Sequence, residues 1–326
     1  MREAIFNARL GDDALGDDPT VKLLEAKAAE RMGKEAALFV ASGTMGNLVA
    51  LLTHCGRGDE AVAGDWSHML NVEVAGAAGV AGVQIRAAHN DDQGRMDLDE
   101  IRGLIRPKGQ YQPRTALVSV ENTHNYCNGS ALPVSYMQEI ADLAHEHGAA
   151  LHVDGARIFN AAIALETTPK ELVKAADTVQ FCLSKGLACP IGSMVCGSSE
   201  FIYEARRQRR MVGGGMRQVG ILAAAGIVAL DEMVDRLADD HANARLLVDG
   251  LAKIPGIKVT PDLVQTNILF FEPDGVDGNL LGQRMKERGI LATGSVNRFR
   301  MVTHYGVEAE DIEYAVGVIR EVVASL

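Results

Sequence analysis

Three segments of this chain place polar residues directly after apolar, strand-like runs, which is where open α/β sheets hold their ligands. The first is His152-Val153-Asp154-Gly155-Ala156-Arg157, which offers a carboxylate and a guanidinium around a turn of small residues. The second is Leu183-Ser184-Lys185-Gly186. A strand-end lysine walled by apolar residues is suited to act as an amine nucleophile. The third is Ser42-Gly43-Thr44-Met45-Gly46-Asn47, where glycines and a hydroxyl open a helix. Free backbone N–H groups at such an end form a phosphate cradle.

Taken singly, each segment has an ordinary structural explanation. A strand-end Asp caps turns, a lone Lys is solvated, and the glycine turn is neither G-x-G-x-x-G nor a P-loop. Together, in the order cradle, Asp154, Lys185, they supply what pyridoxal phosphate requires. These are a lysine for a Schiff base, an acid to protonate a pyridine nitrogen, and a helix N-terminus for a phosphate.

The chain that must position them has 326 residues, with 32 Lys+Arg against 43 Asp+Glu and a net charge of −11. That length fits two compact domains or one large one. At 47% hydrophobic and 23% charged residues, a disordered or collagen-like chain is excluded. No uninterrupted apolar stretch approaches membrane-spanning length, so no membrane partner is expected. The start, Met1-Arg2-Glu3-Ala4-Ile5, lacks the apolar core of a secretory signal. The acidic balance creates no general attraction for phosphate backbones, and the basic run Arg206-Arg207-Gln208-Arg209-Arg210 is short, so nucleic acid is not expected. Cys55, Cys127, Cys182, Cys189 and Cys196 form no C-x-x-C pair. No His/Cys/Asp cluster has ligand spacing, so no metal is expected. The thiols read as buried groups in a reducing cytoplasm.

Apolar positions Val21, Leu24, Ala28 and Met32 predict a helix between Pro19 and Gly33. Strands are expected at 36–40, 116–120, 149–153, 178–183 and 193–196, with helices at 48–52 and 135–147. Apolar strands alternating with helices predict an α/β fold whose mostly parallel sheet is flanked by helices. A long helical pattern through Val219, Leu222, Gly226, Leu230, Met233 and Leu237 carries the domain boundary. Residues 1–235 are read as the large domain and 236–326 as a smaller C-terminal α/β domain. The latter has strands near 257–259, 267–271, 290–292 and 299–303 and helices near 280–287 and 311–323.

These segments resemble the low-specificity L-threonine aldolases, within the fold type I pyridoxal-phosphate enzymes. The matching motifs are Gly16-Asp17-Asp18-Pro19-Thr20, Ser42-Gly43-Thr44, Glu121-Asn122-Thr123-His124-Asn125, His152 to Asn160, Leu183-Ser184-Lys185-Gly186 and Gly213-Gly214-Gly215-Met216-Arg217-Gln218. The resemblance runs over nearly the whole chain and fades in the small domain.

It implies that Lys185 forms the internal aldimine, with Ser184 beside it, and that Asp154 bonds the pyridinium nitrogen. Ser42, Gly43 and Thr44 would hold the phosphate, joined by Arg217 from a neighbouring subunit. Arg157 and Arg300 would hold the substrate carboxylate, with Arg157 also near the cofactor; Arg298, two residues from Arg300, is the competing match. His68 would stack on the cofactor ring and His124 would flank the substrate side chain, with either histidine or a water as base. The implied reaction is retro-aldol cleavage of L-threonine, L-allo-threonine and other β-hydroxy-α-amino acids to glycine and an aldehyde, through an external aldimine. The implied assembly is a cytoplasmic homo-oligomer, a dimer of dimers with the site shared between subunits. The family carries a Ser-Asp-Thr-containing segment before the position matched by Met1-Arg2-Glu3-Ala4, and Tyr where Leu15 stands. The alternatives are another lyase of this fold acting by β-elimination, and a pyridoxal-phosphate-binding protein with little turnover.

Overall fold

The computed structural model describes all 326 residues. Its larger sheet contains β1 (Ala36–Val40), β2 (Glu60–Gly64), β3 (Gln84–Ala88), β4 (Thr115–Glu121), β5 (Ala150–Asp154), β6 (Thr178–Cys182) and β7 (Ser193–Gly197) in the order β1-β7-β6-β5-β4-β2-β3. Only β7 runs against its neighbours. The carboxyl ends of the other six strands therefore lie along one edge. Every residue of β2, β4, β6 and β7 is buried, as a sheet covered on both faces requires.

The covering helices form where local signals specify them. Helix Pro19–Met32 starts at Asp18, whose carboxylate accepts from the N–H groups of Thr20 and Val21, and stops at Gly33 in the left-handed region. Its buried positions include Val21, Leu24, Ala28 and Met32, the predicted face. Helix Gly43–His54 is capped by the Ser42 hydroxyl, which accepts from Met45 N–H at 3.2 Å.

Three departures from the sequence reading concern the sheets and the domain boundary. β2 and β3 were not anticipated, because Glu60-Ala61-Val62-Ala63-Gly64 and Gln84-Ile85-Arg86-Ala87-Ala88 are rich in residues of poor strand propensity. Parallel pairing of β2 with β4 and β3 recruits them. The long helical pattern is two helices, Gly220–Glu232 and Leu237–Leu251, separated by a turn at 233–236. Apolar spacing continues across that turn, so periodicity alone does not reveal it; Leu237 packs in the first core, whereas Leu247, Val248 and Leu251 pack in the second.

The second core lies against β8 (Ile257–Val259), β9 (Ile268–Pro273), β10 (Thr293–Ser295) and β11 (Arg298–Val302), an antiparallel sheet ordered β10-β11-β9-β8. Residues 290–292 are not a strand. Ile290 and Ala292 pack against the core, and pairing begins at Thr293, opposite Arg300.

Candidate active site

The carboxyl edge of the large sheet collects the polar segments. Ser42 to Thr44 follow β1, His68 follows β2, Glu121 to Asn125 end β4, Asp154 to Arg157 end β5, and Ser184-Lys185 follow β6. Strand register places Glu121, Asp154 and Gln180 side by side on β4, β5 and β6.

Asp154 is buried and surrounded by donors. Its Oδ1 accepts from Gln180 Nε2 at 2.6 Å and Ala156 N–H at 3.1 Å, and its Oδ2 from Asn47 Nδ2 at 2.8 Å. Burial opposes ionisation, but the Lys185 charge, the Asn47 and Gln180 donors and His68 outweigh it and hold this carboxyl below its ordinary range. Asp154 thus remains a buried anion held by polar donors, able to fix a protonated ring nitrogen.

Asn47 comes from helix Gly43–His54, which crosses the same sheet face. Its Nδ2 also donates to Glu73 Oε1 at 2.7 Å, while its Oδ1 lies 3.2 Å from His152 Nε2. Glu73 Oε1 in turn lies 2.8 Å from His68 Nδ1. The hydrogen bond to Glu73 is the main cause raising the His68 pKa; burial opposes it and Asp154 and Glu121 assist. Burial raises the Glu73 carboxyl as well, against the donors His68 and Asn47. The pair is thus half-buried on the His68 side and buried on the Glu73 side.

Glu121 ties the two histidine-bearing segments together. Its Oε2 accepts from His68 N–H at 2.8 Å and its Oε1 from Asn125 N–H at 2.7 Å. His124 is buried, and neither of its ring nitrogens has a hydrogen-bond partner.

The segment after Glu121 also receives the small domain. Arg300 Nη2 donates to Asn125 Oδ1 at 2.7 Å, Phe270 N–H to Asn128 Oδ1, and Thr266 Oγ1 to Gly129 O. Burial and the nearby Arg157 guanidinium push Arg300 down to about 10, and burial lowers Arg157. Both Nε atoms are buried without partners. The Arg157 charge acts on Arg300, the Glu121 charge acts on both, and neither guanidinium makes a salt bridge, so a bound anion would relieve them. Arg298 does something else: its guanidinium lies 4.0 Å from the Phe270 ring centroid and 5.5 Å from that of Trp66, and it donates to Tyr126 O.

Lys185 is half-buried and close enough to act on the Asp154 charge. Gly43 and Thr44 stand in the first turn of their helix, where N–H groups have no acceptor within the helix. Arg217 does not join the group within its own chain: it is 67% exposed and its Nε donates to Asp12 Oδ2 at 2.7 Å. His304 bonds Tyr305 O on the surface and gives Arg300 no support.

Sequence reasoning missed Asn47, Glu73, Gln180 and the supporting function of Glu121. Asn47 and Glu121 lay inside quoted motifs, and a polar residue within an apolar run, such as Gln180, was the available signal. The acceptor atoms of His68, Glu73 and Asp154 lie within 4.8 Å of one another, yet amide or imidazole donors occupy their facing oxygens.

A buried anion near a strand-end lysine, an open helix N-terminus and two guanidiniums without salt bridges fit pyridoxal phosphate in charge and donor type. The mostly parallel sheet with its smaller companion domain is the fold of the fold type I pyridoxal-phosphate enzymes. The chain belongs to the beta-eliminating lyase family, whose model matches residues 1–273. It is 44% identical to low-specificity L-threonine aldolase 1 of Arabidopsis thaliana, over 100% of this chain and 93% of that one. It is also 44% identical to the low specificity L-threonine aldolase of Escherichia coli K12, over 96% and 92%. The solved structure of Leishmania major threonine aldolase superposes with a TM-score of 0.81 at 18% identity, covering 97% of this chain and 92% of that one.

Proposed function

We propose that this chain is a pyridoxal-phosphate-dependent aldolase that cleaves L-threonine, L-allo-threonine and related β-hydroxy-α-amino acids to glycine and an aldehyde. The observation that carries this reading is that Arg157 and Arg300, each with a buried Nε that has no partner and no salt bridge, act on the same region as Asp154 and Lys185. Pyridoxal phosphate, when bound, supplies a conjugated ring that accepts the electron pair of a breaking bond at Cα. Lys185 would attach it, Asp154 would face its ring nitrogen, and Gly43 and Thr44 would hold its phosphate. Arg157 and Arg300 hold the substrate carboxylate and thereby orient the Cα–Cβ bond for cleavage. His68 takes the β-hydroxyl proton as that bond breaks, and His124 lies against the substrate side chain. Proton return to Cα then gives glycine.

The buried thiols suit a reducing cytoplasm. Exposed Phe6, Leu15, Val74 and Met211, and an Arg217 that stays outside its own chain's cluster, support a homo-oligomer, read as a tetramer, with Arg217 completing a neighbour's phosphate site. The separate apolar core built from Ala244 onward supports a division into residues 1–235 and 236–326, with Leu237 at the seam still packing in the first core.

The test is aldehyde release from L-allo-threonine by the cofactor-loaded protein, with Lys185→Ala in parallel. Release that vanishes in the variant supports the aldolase. No release from wild-type protein that holds the cofactor overturns it, and elimination products with little aldehyde would favour β-elimination.

A further inference from the structure

Beneath the site a line of hydrogen bonds runs from His54 to His68 through residues that no motif assigned. His54 Nε2 lies 2.9 Å from Thr178 Oγ1, and Thr178 Oγ1 lies 2.9 Å from His152 Nδ1. His152 Nε2 lies 3.2 Å from Asn47 Oδ1. Asn47 Nδ2 reaches both Asp154 Oδ2 and Glu73 Oε1, and Glu73 Oε1 reaches His68 Nδ1.

The donors and acceptors fit together in only one direction. Two carboxylate oxygens face one end of the Asn47 amide, so that end is the NH2 group, with one hydrogen for each. Its carbonyl oxygen then faces His152, which must donate from Nε2. A neutral imidazole with a hydrogen on Nε2 accepts at Nδ1, so the Thr178 hydroxyl donates to His152 and accepts from His54. At the other end, Glu73 Oε1 already accepts from Asn47 and accepts again from His68. The hydrogen that His68 turns towards Glu73 therefore sits on Nδ1, and in the neutral ring Nε2 carries a free lone pair.

We propose that Glu73 and Asn47 are positioning residues that hold His68 in its Nδ1–H form, leaving Nε2 as the proton acceptor of the site. This deepens the aldolase reading and rests on it for the identity of the proton taken, though not for the tautomer itself. Because one amide group bonds both carboxylates, Asn47 also links His68 to the group that faces the cofactor nitrogen. The charges facing His68 are Glu73, Asp154 and Glu121, with Lys185 acting on Asp154. Burial keeps the upstream histidines neutral, His152 at about 3 and His54 at about 4, consistent with fixed single-proton forms.

The test is 15N NMR of the histidine side chains in the full chain, with and without pyridoxal phosphate. In wild-type protein we expect His68 as Nδ1–H with a bare Nε2, and His152 as Nε2–H with a bare Nδ1. His68 found as Nε2–H overturns the proposal without recourse to any variant. Glu73→Gln retains a carbonyl acceptor for both donors, so the tautomer stays and the proton affinity of His68 falls. Glu73→Leu and Asn47→Leu release the tautomer, and kcat falls at least about tenfold with KM little changed. If Gln and Leu at position 73 give the same tautomer mixture and kinetics, the residue is only structural and the proposal fails. A correct tautomer with no aldehyde release from any β-hydroxy amino acid would overturn the aldolase reading alone.

Discussion

Gly94 lies so close to His124 that a Cβ built on it would stand 2.7 Å from the His124 Cβ and Cγ. Gly94 also has φ +78°, in the left-handed region that side chains enter only with strain. The turn at 91–95, distant from the sheet edge in sequence, is therefore one wall of the imidazole that would face the substrate side chain.

Gly94→Ala should accordingly cost about 1–3 kcal/mol of stability and move His124 out of place, lowering turnover. Gly148→Ala is the matched comparison, since that glycine has φ +71° with nothing within 4 Å of its Cβ position. It should carry backbone strain alone and keep its turnover. Urea unfolding and aldehyde release, measured on both variants, separate the two effects.

Arg300 and Arg298 should divide between substrate binding and domain contact. Arg300→Leu is expected to raise KM for the amino acid at least about tenfold, because it removes one arm of the guanidinium pair. Glycine at about 100 times its dissociation constant should stabilise wild-type protein by about 2.7 kcal/mol and Arg300→Leu much less. Arg298→Leu should lower the melting temperature through lost stacking on Phe270 and Trp66 while retaining the glycine effect.

Gln180 should act through Asp154. Gln180→Leu removes the 2.6 Å donor to Asp154 Oδ1, a hydrogen bond to a charged group worth about 1.5–3 kcal/mol. We expect pyridoxal phosphate affinity to fall about tenfold or more, read as a rise in the dissociation constant in an absorbance titration.

The protein should lose stability below neutral pH before most carboxylates titrate. Burial depresses His54 and His241 to about 4 and His152 to about 3, against about 6.5 in an unfolded chain. Folded-state pKa values below the unfolded value mean that the unfolded chain binds protons first. The stabilisation is therefore complete above pH 6.5 and fades as pH falls towards 4 and then 3, with His54 and His241 each losing up to about 2 kcal/mol by pH 5. Urea unfolding from pH 7.5 to 5 measures the slope. His241→Gln should flatten its share.

The sequence by itself determined the parts of this protein that local chemistry can specify. Asp154 and Lys185 stand out because each follows an apolar strand, and strand ends at one sheet edge are forced by parallel topology. The helix opening at Ser42 is written in its cap and glycines, and the start of helix Pro19–Met32 in Asp18 and Pro19. Tertiary structure decided which polar residues support them. Asn47 meets Asp154 across 107 positions, and Gln180 meets it across 26, because helix Gly43–His54 lies over the sheet face to which β5 and β6 direct those side chains. Arg298 and Arg300 share one face of β11 and cannot be told apart by spacing; Arg298 meets Phe270 within its own sheet, and only domain packing brings it Trp66 and brings Arg300 to Asn125 and Arg157. A hydrogen bond needs its partners within about 3 Å, and for residues this far apart in sequence only the packed fold sets that distance.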